Sequence, residues 1–99
     1  MASNKYDGVI EAVNYSPDGE ISLVRTYERH GAAWSDHILL GRTELVERLR
    51  KGRRFSTGVR KFGLGSMFET RSTVRLVDGH IITDGQAASR DLLAGVPLF

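Results

Sequence analysis

Arginine offers this sequence most of its chemistry, and half of the basic side chains stand together. Of 14 Lys and Arg residues, seven lie within positions 48–61: Arg48, Arg50, Lys51, Arg53, Arg54, Arg60 and Lys61. No Asp or Glu interrupts that stretch, so about +7 sits on a chain of net charge +2, and the remainder is mildly acidic. Guanidinium forks hold phosphate oxygens through paired hydrogen bonds, and Ser or Thr hydroxyls and glycine-flanked amides can add to them. The asymmetry points to a surface that meets something anionic.

Other side chains with chemical potential are poorly placed for it. His30, His37 and His80 are the groups whose ordinary pKa falls near neutrality. Asp36 and His37 are adjacent, but neighbours on a strand point to opposite faces. No compact ligand spacing joins His30 to His37, so rim or surface histidines are the better account. Gly58 and Gly63 have the four-residue gap of a phosphate-binding loop, yet Leu64-Gly65 follows where Lys and Ser or Thr are required. Gly63-Leu64-Gly65 lacks the third glycine of a dinucleotide fingerprint. These glycines read as turn residues, with a nest of backbone amides as the alternative.

Ser66 lacks the G-x-S-x-G frame of a nucleophile elbow. Arg53-Arg54-Phe55-Ser56 has the shape of a kinase site, but a strand there would hide it. Asn14-Tyr15-Ser16 is followed by Pro17, which weakens it as a glycosylation acceptor. The carboxylates are scattered, with no evident acid–base pair. A non-catalytic protein without cofactor or metal is expected.

The 99 residues make one domain over 1–99, large enough for a core without staples. Hydrophobic content of 40% against 26% charged residues separates it from disordered chains. Cysteine is absent, which excludes disulfides, thiol catalysis and thiolate zinc. No secretory signal and no membrane span is visible. A soluble cytoplasmic protein with no membrane partner is the expectation.

The elements that would position the arginines are mostly strands. Residues 6–15 are rich in Val, Ile and Tyr and end at Ser16-Pro17-Asp18-Gly19, a turn with a mechanism in each residue. Residues 20–29 then alternate, with Ile21, Leu23, Arg25 and Tyr27 against Ser22, Val24 and Thr26, so the two runs form a hairpin. His30-Gly31-Ala32-Ala33 is a second turn, leading to a strand around 34–40. Thr43 stands as N-cap of a two-turn helix through Lys51, stopped by Gly52. Its acids come early and its bases late, and Glu44–Arg48 and Glu47–Lys51 are i,i+4 pairs.

Residues 53–61 return to strand character, and Phe62-Gly63-Leu64-Gly65-Ser66 reads as a flexible loop. Met67–Val77 is a long strand. Asp78-Gly79 then closes a hairpin onto His80-Ile81-Ile82-Thr83. The apolar tail, 84–99, has room for a helical turn near 86–93 and is expected to pack on the barrel, or else to dock a partner.

Five or six strands with one short helix give a mainly β, α+β chain: a small, strongly twisted antiparallel β-barrel or a half-open roll. The first strand is apolar on both faces, Val9 and Val13 against Ile10 and Ala12, as a curved sheet or a dimer interface would require.

If 53–61 pairs with Met67–Val77 so that apolar faces match, one outward face collects Arg54, Ser56, Arg60, Arg71, Thr73 and Arg75, with Glu69 the sole acid. Opposed like charges cost stability, so such a face calls for an explanation. Phosphate contact is one, and the candidate nucleic-acid-binding residues are Arg50, Arg53, Arg54, Arg60, Lys61, Arg71 and Arg75. Phe62 is the candidate base-stacking ring, with Trp34 a second. The competing account is a solvated sheet face whose charge protects an edge from aggregation. Two classes of partner follow: RNA or DNA at the basic face, or a protein or second copy of this chain at the sheet edge and tail.

Overall fold

The first hairpin is set by its turn. The Asp18 carboxylate accepts hydrogen bonds from the Ser16 hydroxyl and the Glu20 N–H. The turn joins β1 (Gly8–Tyr15) to β2 (Ile21–His30). The computed structural model describes residues 6–61, 67–87 and 89–99; the 62–66 loop therefore lies outside the described residues.

Pairing of β1 with β2 slips by one residue at Glu11 and again at Ser22. The first slip puts Ile10 and Val13 together in the core and leaves Val9 and Ala12 for the opposite face. All four are buried, which is how a strand apolar on both sides is accommodated. The second slip lets Ile21 join Val24 in the core, although strict alternation would separate them.

On its other side β2 pairs with two short strands, β3 (Ala33–Trp34) and β4 (Ile38–Gly41), where the sequence led us to expect one. β4 runs directly into α1 (Arg42–Arg50). Gly41, not Thr43, is the N-cap: the Glu44 carboxylate reaches back three residues to accept its N–H at 2.9 Å. Leu45 is fully buried, and Val46 and Leu49 pack beside it on the core. At the C-terminus the Lys51, Gly52 and Arg53 amides donate to helical carbonyls.

The helix carries the chain back to start β5 (Phe55–Lys61) alongside β1, so this pair runs parallel. The other pairings between strands are antiparallel. β6 (Met67–Val77) and β7 (His80–Thr83) complete the sheet, joined by Asp78-Gly79 with both residues at positive φ. The strand order is β3-β2-β1-β5-β6-β7, with β4 beside β2. The sheet curls into a half-open roll around Ile10, Val13, Val24, Phe55, Val74 and Ile81, and α1 contributes Leu45 to the same core. This is the small mainly β fold with one helix that the pattern predicts. Among the described residues no helix is long and apolar enough to cross a membrane.

No helical turn forms among the described residues of the tail. Leu92 instead bridges Ile82, and Leu98 bridges Val13, each in parallel. Asp91 explains the extended path. Its side chain is fully buried and accepts from the Ile21 and Ile81 amides, each at 2.9 Å, and from Arg42 Nε at 2.7 Å. A helix at this point would turn the carboxylate away from those donors.

Candidate nucleic-acid interface

Pairing of β5 with β6 begins with Ser56 opposite Thr73, but Gly58 then faces Thr70. β6 therefore carries one extra residue across this step. The cause is close approach: a Cβ on Gly58 would stand 2.2 Å from the Glu69 carbonyl oxygen. The bulge reverses the match of faces beyond it, and it divides the arginine face that alternation predicts.

Arg60 now lies opposite Phe68, with its guanidinium 5.7 Å from the centre of the Tyr27 ring. Arg71 falls on the other side with Val59 and Glu69, and its guanidinium is 3.9 Å from the Glu69 carboxylate. Ser56, expected on the outward face, is fully buried and donates to the Thr57 and Ser72 carbonyls. Lys61 is exposed at the far end of β5. Phe62, the candidate stacking ring, lies outside the described residues. Trp34 is half-buried with its ring 4.6 Å from Phe68, which in turn lies 5.0 Å from Tyr27. These rings form a small second core on the outer face of the sheet.

The other arginines come together. β5 starts at Phe55, so beyond Thr73 the β6 strand loses that neighbour and faces the end of α1. A groove of about 520 Å³ opens there. Arg50, Arg53 and Arg54 line one bank, Thr73 and Arg75 the other, and Leu49, Val74 and Leu76 make the floor. Among the described residues no carboxylate lies within ion-pair distance of the Arg50, Arg53 or Arg54 guanidinium, although the Arg54 amide donates to the Asp7 carboxylate at 2.9 Å. Arg53 donates from Nη2 to the Arg29 carbonyl at 3.2 Å, while its Nε is buried with no acceptor among the described residues. Arg75 meets Asp84 at 2.9 Å, but both side chains are more than half exposed. An exposed pair of this kind is worth roughly 0–1 kcal/mol, and phosphate can displace it.

Arg48 leaves the set. It crosses to Glu28 with Nε 2.7 Å from the carboxylate, and the glutamate side chain is almost wholly buried. Burial works against the Arg48 charge, but the hydrogen bond to Glu28 outweighs it and raises the guanidinium pKa further. The helical pair with Glu44 that the sequence offered is replaced by this tertiary one. Neither Glu28 nor Asp91 stood out in the sequence, because burial of a carboxylate is set by the fold.

Asp91 resembles a catalytic carboxylate in its burial alone. Burial pushes its pKa up, but Arg42 and the Ile21 and Ile81 amides outweigh that and hold it below the ordinary 3.8. His80 Nδ1 is 3.8 Å away and makes no hydrogen bond among the described residues. With its oxygens taken by structural donors, this carboxylate ties tail, β2 and β7 together. His30 ends β2 and His37 lies in the segment between β3 and β4, and both are exposed. Among the described residues no group of three His, Asp or Glu is placed to hold a metal ion.

Comparison of this chain with protein-family models, with curated proteins and with solved structures finds no match.

Proposed function

We propose that this chain is a non-catalytic binding module that contacts the phosphate backbone of RNA or DNA through the groove between α1 and β6. The observation that carries the reading is the convergence of Arg50, Arg53, Arg54 and Arg75 on one opening, the guanidiniums of the first three outside ion-pair distance of any carboxylate among the described residues. Guanidinium groups on two facing banks can straddle a phosphate chain, and the Thr73 hydroxyl adds a neutral donor. Such contacts release counterions, so affinity should fall steeply with salt and depend little on sequence. The absence of cysteine agrees with work in a reducing cytoplasm.

A second reading, a protein-interaction or self-association module, has its own support in the exposed Leu98, Phe99 and Leu39. Titrating labelled RNA, single-stranded DNA and duplex DNA at low and at physiological salt separates the two. Salt-sensitive binding favours the groove. Self-association indifferent to salt, and lost on removing residues after Leu92, favours the second reading.

A further inference from the structure

At the far end of β5 from the groove, the sheet forks. β1 pairs with β5 only through Ile10, after which the Glu11 bulge carries it away. The tail lies in this fork and runs parallel to β1: the Val13 amide donates to the Pro97 carbonyl and the Phe99 amide to the Val13 carbonyl. Asn14 Nδ2 holds the Phe99 carbonyl at 2.6 Å. An open cleft of about 410 Å³ remains between tail and β5, within the roughly 300–1,000 Å³ range of small-ligand sites.

Its charged lining is Arg25, Arg60 and Glu11. Each arginine rests on a ring, Arg25 at 4.8 Å from the centre of Phe99 and Arg60 at 5.7 Å from that of Tyr27. Glu11 pairs with Arg25 at 3.6 Å, which leaves Arg60 as the guanidinium open to an anion. Arg60 has no carboxylate within ion-pair distance among the described residues. The apolar part of the lining is Val59, Pro97, Leu98 and Phe99, of which Leu98 is 71% and Phe99 39% exposed. A cation beside an aromatic ring and next to exposed apolar surface matches a ligand with an anionic end and a flat apolar body.

We infer that this cleft takes one unpaired nucleotide, its phosphate at Arg60 and its base against Leu98 and Phe99, so that the partner is single-stranded nucleic acid. The inference rests on the reading of the groove as a phosphate site and adds what the groove lacks, a means of telling strand state. Bases in a duplex are stacked and cannot offer a face to this wall; bases in a single strand can.

The test compares a labelled single strand with a duplex of the same sequence, by fluorescence anisotropy at low salt. The proteins are the full chain, Arg60→Gln, Leu98→Ser, and Arg54→Ala as the groove control. Arg60→Gln keeps most of the stem over Tyr27, and Leu98 is too exposed for its loss to unfold the chain. Expected is a preference for the single strand of roughly tenfold, largely lost in Arg60→Gln and Leu98→Ser. Arg54→Ala should retain that preference and weaken both forms alike. Equal affinity for both forms, or a preference that survives both cleft variants, overturns the inference and leaves the groove reading standing. Absence of salt-sensitive binding to either form overturns the groove reading and this inference with it.

Discussion

Arg60 and Arg71 stand on opposite sides of the β5–β6 ribbon, although strict alternation puts them on one face. The slip between the Ser56–Thr73 and Gly58–Thr70 pairs separates them, sending Arg60 to Tyr27 and Arg71 to Glu69. The extra residue separates Arg71 from Arg60, while the length of β5 separates Arg60 from Arg54, which stands just before the strand begins.

Gly58 permits that slip, because the Glu69 carbonyl oxygen occupies the space of a side chain. Gly58→Ala has to displace backbone, not a flexible side chain. A loss of about 1–3 kcal/mol is expected, visible as a lower urea midpoint with little change in slope. Unchanged stability would mean the ribbon relaxes without cost and that the bulge has another origin.

Asp91 makes stability depend on acid. Its pKa is depressed in the folded chain, so the carboxylate stabilises fully above the unfolded value near 3.8. That contribution is lost as pH falls below 3.8 through the folded value. Asp91→Ala removes the charge that Arg42 and two amides point at and should cost about 3 kcal/mol at neutral pH. Unfolding midpoints of both proteins measured from pH 6 downward check this: the gap between them should narrow as acid protonates Asp91. A gap independent of pH contradicts the assignment.

Arg48 belongs to the dense basic run in sequence but to the fold in space. Arg48→Ala leaves the buried Glu28 carboxylate without its partner and should cost about 3 kcal/mol of stability. Measured below its unfolding temperature, the variant should bind nucleic acid with an unchanged salt slope. A lower slope would return Arg48 to the binding surface.

Much of this architecture was legible in the sequence. Ser16-Pro17-Asp18-Gly19 and Asp78-Gly79 fixed two hairpins through residues whose backbone preferences are strong, and the charge order around Glu44 and Arg50 marked the helix. The limits of the helix were less so, because a Glu44 carboxylate can cap Gly41 as well as follow a capping Thr43. Bulges were not legible: Glu11, Ser22 and Gly58 shift the register through contacts with strands far away in sequence. The candidate site suffered accordingly. Arg50, Arg53, Arg54 and Arg75 meet as proximity in sequence and the β6 hairpin suggest, whereas Arg60 and Arg71 go elsewhere. Arg25, which lines the fork, gave no sign, since its role depends on where the tail comes to rest. The parallel pairing of β1 with β5 was equally hidden, being a product of the path through α1.

The groove is tested most directly by the slope of log affinity against log salt for a short duplex, in the full chain, Arg54→Ala, Arg75→Ala and the double variant. Each phosphate contact contributes roughly one to that slope. We predict a drop of about one for each arginine removed, about two for the double variant, and uniform weakening across sequences. Slopes that coincide in all four proteins, or binding indifferent to salt, would contradict the account.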